Sequence, residues 1–203
     1  MSSFDEYMIK RLNPCQEGYL EIILGPMFSG KTTQIIQIYN NYSYIEKNVV
    51  VINYADDTRY NDSMLSTHDK KMIPCILTYN IQDIWSNPLN EHYQDIHDAD
   101  VILINEGQFF DYIKNTVIEM VEQHNKIVYI CGLDGDFKRS KFGELLDLIP
   151  YCDKVTKLSS LCAQCKNGKK GIFSCRITKE TSQIVIGSDN YKPLCRLCYT
   201  DNK

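Results

Sequence analysis

No apolar run in this chain approaches 18 residues, so no transmembrane helix is expected. The opening Met1-Ser2-Ser3-Phe4-Asp5-Glu6 lacks the positive-then-apolar pattern of a secretory signal, and a cytoplasmic location is expected. Neither charge sign dominates: 22 basic side chains face 26 acidic ones, for a net charge of −4. That balance argues against a protein whose main work is gripping a nucleic-acid backbone, so no stable nucleic-acid binding and no membrane partner are expected. Internal repeats and low-complexity tracts are also missing, which leaves one good-sized domain, or one domain with a small appendage. Cysteine is not scarce. There are nine, an odd number without a secretory signal, which favours thiols or metal ligands over disulfides.

What is present is organised around Gly25-Pro26-Met27-Phe28-Ser29-Gly30-Lys31-Thr32, a G-x-x-x-x-G-K-T phosphate-binding loop. The apolar run Tyr19 to Leu24 before it reads as a buried strand, and Gln34 to Tyr39 after it suits a helix. Gly25 and Gly30 let the chain curl with its amides inward, and the following helix start adds unsatisfied N–H groups. Lys31 would reach the β- and γ-phosphates, and the Thr32 hydroxyl would bind Mg²⁺.

Beyond that helix, which is expected to run to about Glu46, Asn48–Tyr54 reads as a second buried strand. Ala55–Lys71 is polar and reads as a long loop, and Ile73–Thr78 as a short third strand. Val101–Ile104 is an apolar strand ending in Asn105-Glu106-Gly107-Gln108, and Tyr112–Asn125 has a helical period. Lys126–Leu133 is another strand, and Asp134–Phe142 a charged loop. Strands alternating with helices predict an α/β fold of the P-loop NTPase kind, a parallel sheet with helices on both faces. Ligands in such sheets sit at the carboxyl ends of the strands. Gly25, Asn105 and Asp134 each follow a strand end and should converge on one crevice. Phosphoryl transfer there needs a base and a cation besides the metal. Glu106, just past a strand end, is the best candidate base, and Arg59 in the long loop the best extra cation.

From Leu158 the character changes. Cys162-Ala-Gln-Cys165 and Cys195-Arg-Leu-Cys198 are two C-x-x-C pairs, suited to a closed four-thiolate Zn²⁺ site with a structural role. Cys15, Cys75, Cys131, Cys152 and Cys175 lack partners at ligand spacing. Ile172–Arg176 and Gln183–Gly187 are short β-like runs between the knuckles, so a lid pinned by metal at both ends is expected. The expected division is a flexible 1–17, a nucleotide-binding domain 18–158, a zinc-binding lasso domain 159–199 and a tail 200–203.

Several blocks in this order resemble the thymidine kinases of the cellular cytosolic (type II) kind: Leu24–Thr32, Asp57-Thr58-Arg59, Thr67-His68-Asp69, Glu106–Phe110, Leu133-Asp134-Gly135 with Phe137 and Phe142, and Cys195–Tyr199. The resemblance covers about Tyr19 to Tyr199. It implies ATP-dependent phosphorylation of thymidine at its 5′-hydroxyl. Glu106 would be the general base, with Lys31 and Arg59 stabilising the transferring phosphoryl group. Gly25, Pro26, Met27, Phe28, Ser29, Gly30, Lys31, Thr32, Asp57, Thr58, Arg59, Asn105 and Gln108 would serve ATP and Mg²⁺. Met27, Phe109, Leu133, Phe137 and Phe142 would wall the nucleoside pocket. Tyr191 would close over it, and the main chain at Val185, Ile186 and Gly187 would meet the base edge. On the residues alone the phenylalanines read as core. The resemblance further implies a homo-oligomer, a tetramer in the family, and feedback inhibition by dTTP.

The family usually carries Asp-Glu where this chain has Asn105-Glu106, which implies weaker support for Mg²⁺. The stretch before Tyr191 also looks one residue short of the family pattern. Two other readings stay open: a P-loop NTPase module whose zinc knuckle binds a partner, and an inactive nucleotide-binding homologue.

Overall fold

The computed structural model describes residues 17–56, 64–66, 71–185, 187 and 189–202. β1 (Tyr19–Leu24) enters the phosphate loop, and α1 (Lys31–Tyr44) leaves it. β2 (Val49–Tyr54) follows, then β3 (Met64–Ser66), β4 (Met72–Pro74) and β5 (Ile76–Thr78). Two short helices, α2 (Ile81–Ser86) and α3 (Tyr93–Asp98), precede β6 (Val101–Ile104). α4 (Ile113–Glu122), β7 (Ile127–Gly132) and β8 (Lys154–Lys157) complete the large unit. The smaller unit holds β9 (Ser160–Leu161), β10 (Lys170–Gly171), β11 (Phe173–Arg176), β12 (Tyr191–Leu194) and α5 (Arg196–Asp201).

The main sheet has six strands in the order β5-β2-β6-β7-β1-β8, and all its pairings are parallel. Both faces are covered, as an all-parallel sheet requires. Leu20, Ile22, Ile102, Ile104, Val128 and Ile130 pack on one face with Trp85, Phe110, Ile113, Val117 and Met120. Ile23, Val51, Leu103 and Cys131 pack on the other with Ile35 and Ile36 of α1. The pleat sends alternate residues to opposite faces, so the continuous apolar strands of the sequence feed two cores at once.

Three expectations are corrected. The polar stretch Ala55–Lys71 contains β3, which forms an antiparallel hairpin with β4; its residues 57–63 and 67–70 lie outside the described residues. The expected strand Ile73–Thr78 is broken between Pro74 and Ile76, because proline cannot donate to a ladder and the chain changes partner from β3 to β2. Gln183–Gly187 is not a strand. Gly187 takes φ 128°, outside the extended region, and β11 pairs with β12 instead. The smaller unit has a core of its own in which the four knuckle cysteines pack with Leu194 and Tyr199.

Candidate active site

The phosphate loop closes between β1 and α1 by backbone geometry. Gly30 sits at φ 88° and caps α1, a conformation that favours glycine. A Cβ on Gly25 would fall 2.6 Å from Ser29 Oγ and 3.0 Å from the Leu158 carbonyl oxygen, so the curl has no room for a side chain there. Lys31 is buried, and its ammonium donates to the carbonyl oxygens of Gly25 at 3.1 Å and Pro26 at 3.0 Å. Ser29 Oγ is buried without a hydrogen-bond partner among the described residues, an orphan that a phosphate oxygen would satisfy. The loop thus fits a polyphosphate.

Beyond β6 the backbone turns sharply. Glu106 takes the left-handed conformation (φ 54°, ψ 42°), and one 3₁₀ turn runs from Gly107 to Phe109. Gln108 is buried and bridges two elements. Its Nε2 donates to Glu106 Oε2 at 2.6 Å, and its Oε1 accepts from Leu133 N at 3.0 Å. This side chain, expected as a nucleotide contact, lines the pocket and holds the candidate base to the end of β7. Asn105 is 1% exposed; its Nδ2 donates to Asn53 Oδ1 at 2.8 Å and its Oδ1 accepts from Cys131 Sγ at 3.0 Å. Both of its polar atoms are engaged at the carboxyl ends of the central strands.

The strand ends and the small unit line a pocket that is partly open to solvent. Met27, Glu106, Gln108, Phe109, Leu133 and Phe142 wall it from the sheet side, and Gln183, Ile184, Val185, Gly187 and Tyr191 from the other. Phe109 meets Phe142 edge to face with ring centroids 5.3 Å apart and is backed by Tyr54 at 5.0 Å. Such an aromatic wall with a few polar atoms beside it suits a nucleobase. Phe137, expected in the wall, is not there: its ring lies against the Arg176 guanidinium, 3.8 Å from carbon to centroid. Asp57, Thr58, Arg59 and Ile186 lie outside the described residues. Gln183 and Ile184 had no signal in the sequence beyond their place next to Val185. Gln183 Nε2 donates to Asp136 Oδ2 at 2.9 Å and to the Lys141 carbonyl oxygen at 3.2 Å, latching the lasso to the loop after β7. The Met27 N–H donates to Ser174 Oγ at 3.0 Å, so the phosphate loop also leans on the small unit.

At the base of that unit the sulfurs of Cys162, Cys165, Cys195 and Cys198 lie within 4.8 Å of one another. Tetrahedral Zn–S bonds of about 2.3 Å place sulfurs roughly 3.8 Å apart, so the set fits zinc. Burial works against the Cys162 thiolate, but backbone N–H groups of Cys195, Cys165 and Gln164 outweigh it and lower the thiol. Burial and the neighbouring thiols push Cys198 up. A thiol already lowered is suited to open metal binding, since the thiolate is the ligand.

The thymidine kinase family model matches residues 18–199. A thymidine kinase of rice (Oryza sativa subsp. japonica) is 37% identical over 192 residues, covering 94% of this chain and 69% of the relative. That of sheeppox virus (strain KS-1) is 39% identical over 183 residues, 90% of this chain and 97% of the relative. That of vaccinia virus (strain Western Reserve) is 38% identical over 186 residues, 91% and 98% respectively. With the match running from before the phosphate loop to beyond the last knuckle, the chain belongs to the thymidine kinase family.

Proposed function

We propose that this chain transfers the γ-phosphate of ATP to the 5′-hydroxyl of thymidine, giving dTMP. The observation that carries the reading is a carboxylate, Glu106, clamped at the rim of an aromatic-walled pocket that lies between a phosphate loop and a lasso. Thymidine lies with its base between Phe109, Phe142 and the lasso main chain at Val185, Ile186 and Gly187, and Tyr191 closes over it. Backbone recognition of a base edge discriminates sharply, because a wrong edge leaves buried polar groups unpaired. Glu106 accepts the 5′-hydroxyl proton as the oxygen attacks. Lys31 and the loop amides hold the phosphates, and Arg59 and Asp57 serve the transferring group.

Mg²⁺ would neutralise charge on the β- and γ-phosphates when bound. The Thr32 hydroxyl, at the second position of α1, is the hard oxygen this chain offers it. Asn105, bonded to Asn53 and Cys131 at the carboxyl ends of the central strands, brings no charge to Mg²⁺ support. Residues 18–158 form the catalytic domain in this reading, and 159–199 the zinc-pinned lasso. A cytoplasmic homo-tetramer inhibited by dTTP completes it, on the strength of the family resemblance.

The test is transfer of labelled γ-phosphate from ATP to thymidine, with deoxycytidine, deoxyadenosine and no nucleoside as controls, for wild type and Glu106→Gln. Thymidine-dependent product that falls by about 10²- to 10⁴-fold in the variant is expected. ATP hydrolysis without thymidine dependence would overturn the reading in favour of an NTPase module.

A further inference from the structure

The four-cysteine cluster lies at the base of the β11–β12 hairpin, but the wall of the pocket is made by its tip. The connection 177–190 contains no strand or helix among its described residues, and its backbone needs partners from elsewhere. For three of its carbonyls they come from one side chain. Arg176, the last residue of β11, stands directly across the ladder from Tyr191, the first of β12. Its guanidinium reaches into the loop. Nη1 donates to the carbonyl oxygens of Glu180, at 3.0 Å, and Ser182. Nη2 donates to the carbonyl oxygen of Gln183, at 3.0 Å, and to the Tyr191 hydroxyl oxygen. That hydroxyl then donates to the Val185 carbonyl oxygen at 3.0 Å.

The cation is 9% exposed, and among the described residues it meets no carboxylate at ion-pair distance. Its direct contacts are neutral, four oxygens and two rings, with Phe137 at 3.8 Å and Tyr191 at 5.1 Å from the guanidinium carbon, and the Glu180 carboxylate feels it only beyond ion-pair distance. Nε is buried with no hydrogen-bond partner among the described residues. A guanidinium placed to satisfy a charge would face an acid. One held between two aromatic faces, with its fork spread over consecutive loop carbonyls, sets the path of a chain. That chain carries Gln183, Ile184 and Val185 into the pocket.

We propose that Arg176 is a positioning residue for nucleoside selection, the peg on which the lasso is hung so that its main chain and Tyr191 meet the bound base. This rests on the proposed kinase reading for its substrate and on geometry alone for its mechanics. Lysine cannot replace it, because an ammonium is a single point and lacks both the planar fork and the flat face for Phe137.

The experiment compares wild type with Arg176→Lys, Tyr191→Phe and the double variant. For Arg176→Lys we expect the thymidine KM to rise tenfold or more, with the ATP KM within twofold of wild type and zinc content unchanged. The double variant should be no more than about twofold worse than the worse single variant, since both act through one relay. Trypsin cleavage after the exposed Lys179 should quicken at least tenfold in Arg176→Lys. A thymidine KM within twofold of wild type, a parallel rise in the ATP KM, or unchanged cleavage would overturn the proposal. If wild type itself fails to phosphorylate thymidine while the cleavage difference persists, the kinase reading falls and the loop-holding role of Arg176 stands.

Discussion

At the scale of single residues, the site is governed by how one carboxylate is held. Glu106 occupies a left-handed conformation that costs a non-glycine residue about 1–2 kcal/mol, and such strain persists only where surroundings over-determine it. Gln108 is that surrounding. Replacing it with alanine removes that tie on the carboxylate and unties Leu133. We expect kcat to fall by about 10- to 100-fold with the ATP KM unchanged, read by steady-state kinetics. Gly132→Ala attacks the same clamp from the other side, because its Cβ would come 2.3 Å from Gln108 Oε1 and 2.5 Å from Leu145 Cδ2. Crowding there should cost about 1–3 kcal/mol in urea unfolding and lower activity as the Gln108 variant does. Asn105→Asp puts a charge into a neutral trio with Asn53 and Cys131. We expect tighter apparent Mg²⁺ dependence of activity together with about 1–3 kcal/mol lost stability. An unchanged Mg²⁺ titration would sink the idea that this asparagine weakens metal support.

At the scale of elements, β8 is an edge strand whose place is fixed by polar ties to β1. Glu21 is 4% exposed and accepts from Thr156 Oγ1 at 2.6 Å, Tyr19 Oη at 3.0 Å and Lys154 Nζ at 3.1 Å. The Asp153 carboxylate accepts from Leu20 N at 2.8 Å just before the strand. Burial alone would raise the Glu21 carboxyl, but hydrogen bonds from Thr156, Lys154 and Tyr19 outweigh it and hold it below its ordinary value. A carboxyl lowered in the folded state lends stability that is present above its unfolded value and lost as pH falls through its folded one. Glu21→Gln should therefore be less stable than wild type at pH 7 by about 1–3 kcal/mol, with the gap closing below about pH 4, in urea melts across that range.

The same elements show what the sequence could disclose. β1, β2, β6 and β7 are short runs of Val, Ile and Leu bounded by polar residues, so their apolar continuity announced strands buried on both faces. The phosphate loop, Glu106 and the cysteine knuckles were legible because their chemistry demands fixed residue types at fixed spacing. β8 was hidden, since Lys154-Val-Thr-Lys157 is a polar run that pairs on only one side. α2 and α3, at six residues each, are too short for a helical period to show. In the lasso, Gln183–Gly187 has strand-like composition, yet the loop leading into it is held at the carbonyls of Glu180, Ser182 and Gln183 by a side chain, Arg176, and no local pattern records a long-range guanidinium. Phe137 misled for a related reason: an aromatic serves equally to face a base or to floor a cation.

At the scale of the whole molecule, two units of unequal self-sufficiency meet at the pocket. The sheet has two apolar cores, whereas the small unit relies on the cysteine cluster with Leu194 and Tyr199. So small a core seldom holds without a metal or other staple. The units touch through the bonds from Met27 N to Ser174 Oγ and from Gln183 to Asp136, and the Tyr199 hydroxyl donates to the Phe137 carbonyl oxygen. Removing zinc with a strong chelator should unfold the lasso, raise the thymidine KM beyond measurement and expose Lys179 to trypsin. The sheet and its phosphate loop should survive, and binding of a fluorescent ATP analogue should weaken by less than about tenfold, because the loop loses its Met27–Ser174 bond but keeps the β1–α1 frame that shapes it. Cys165→Ser should reproduce the chelated state without added chelator, since three thiolates and a hydroxyl hold zinc poorly. Chelation that leaves thymidine turnover intact would mean that the hairpin is held by its side chains alone, and the metal would then be dispensable to the shape of the pocket.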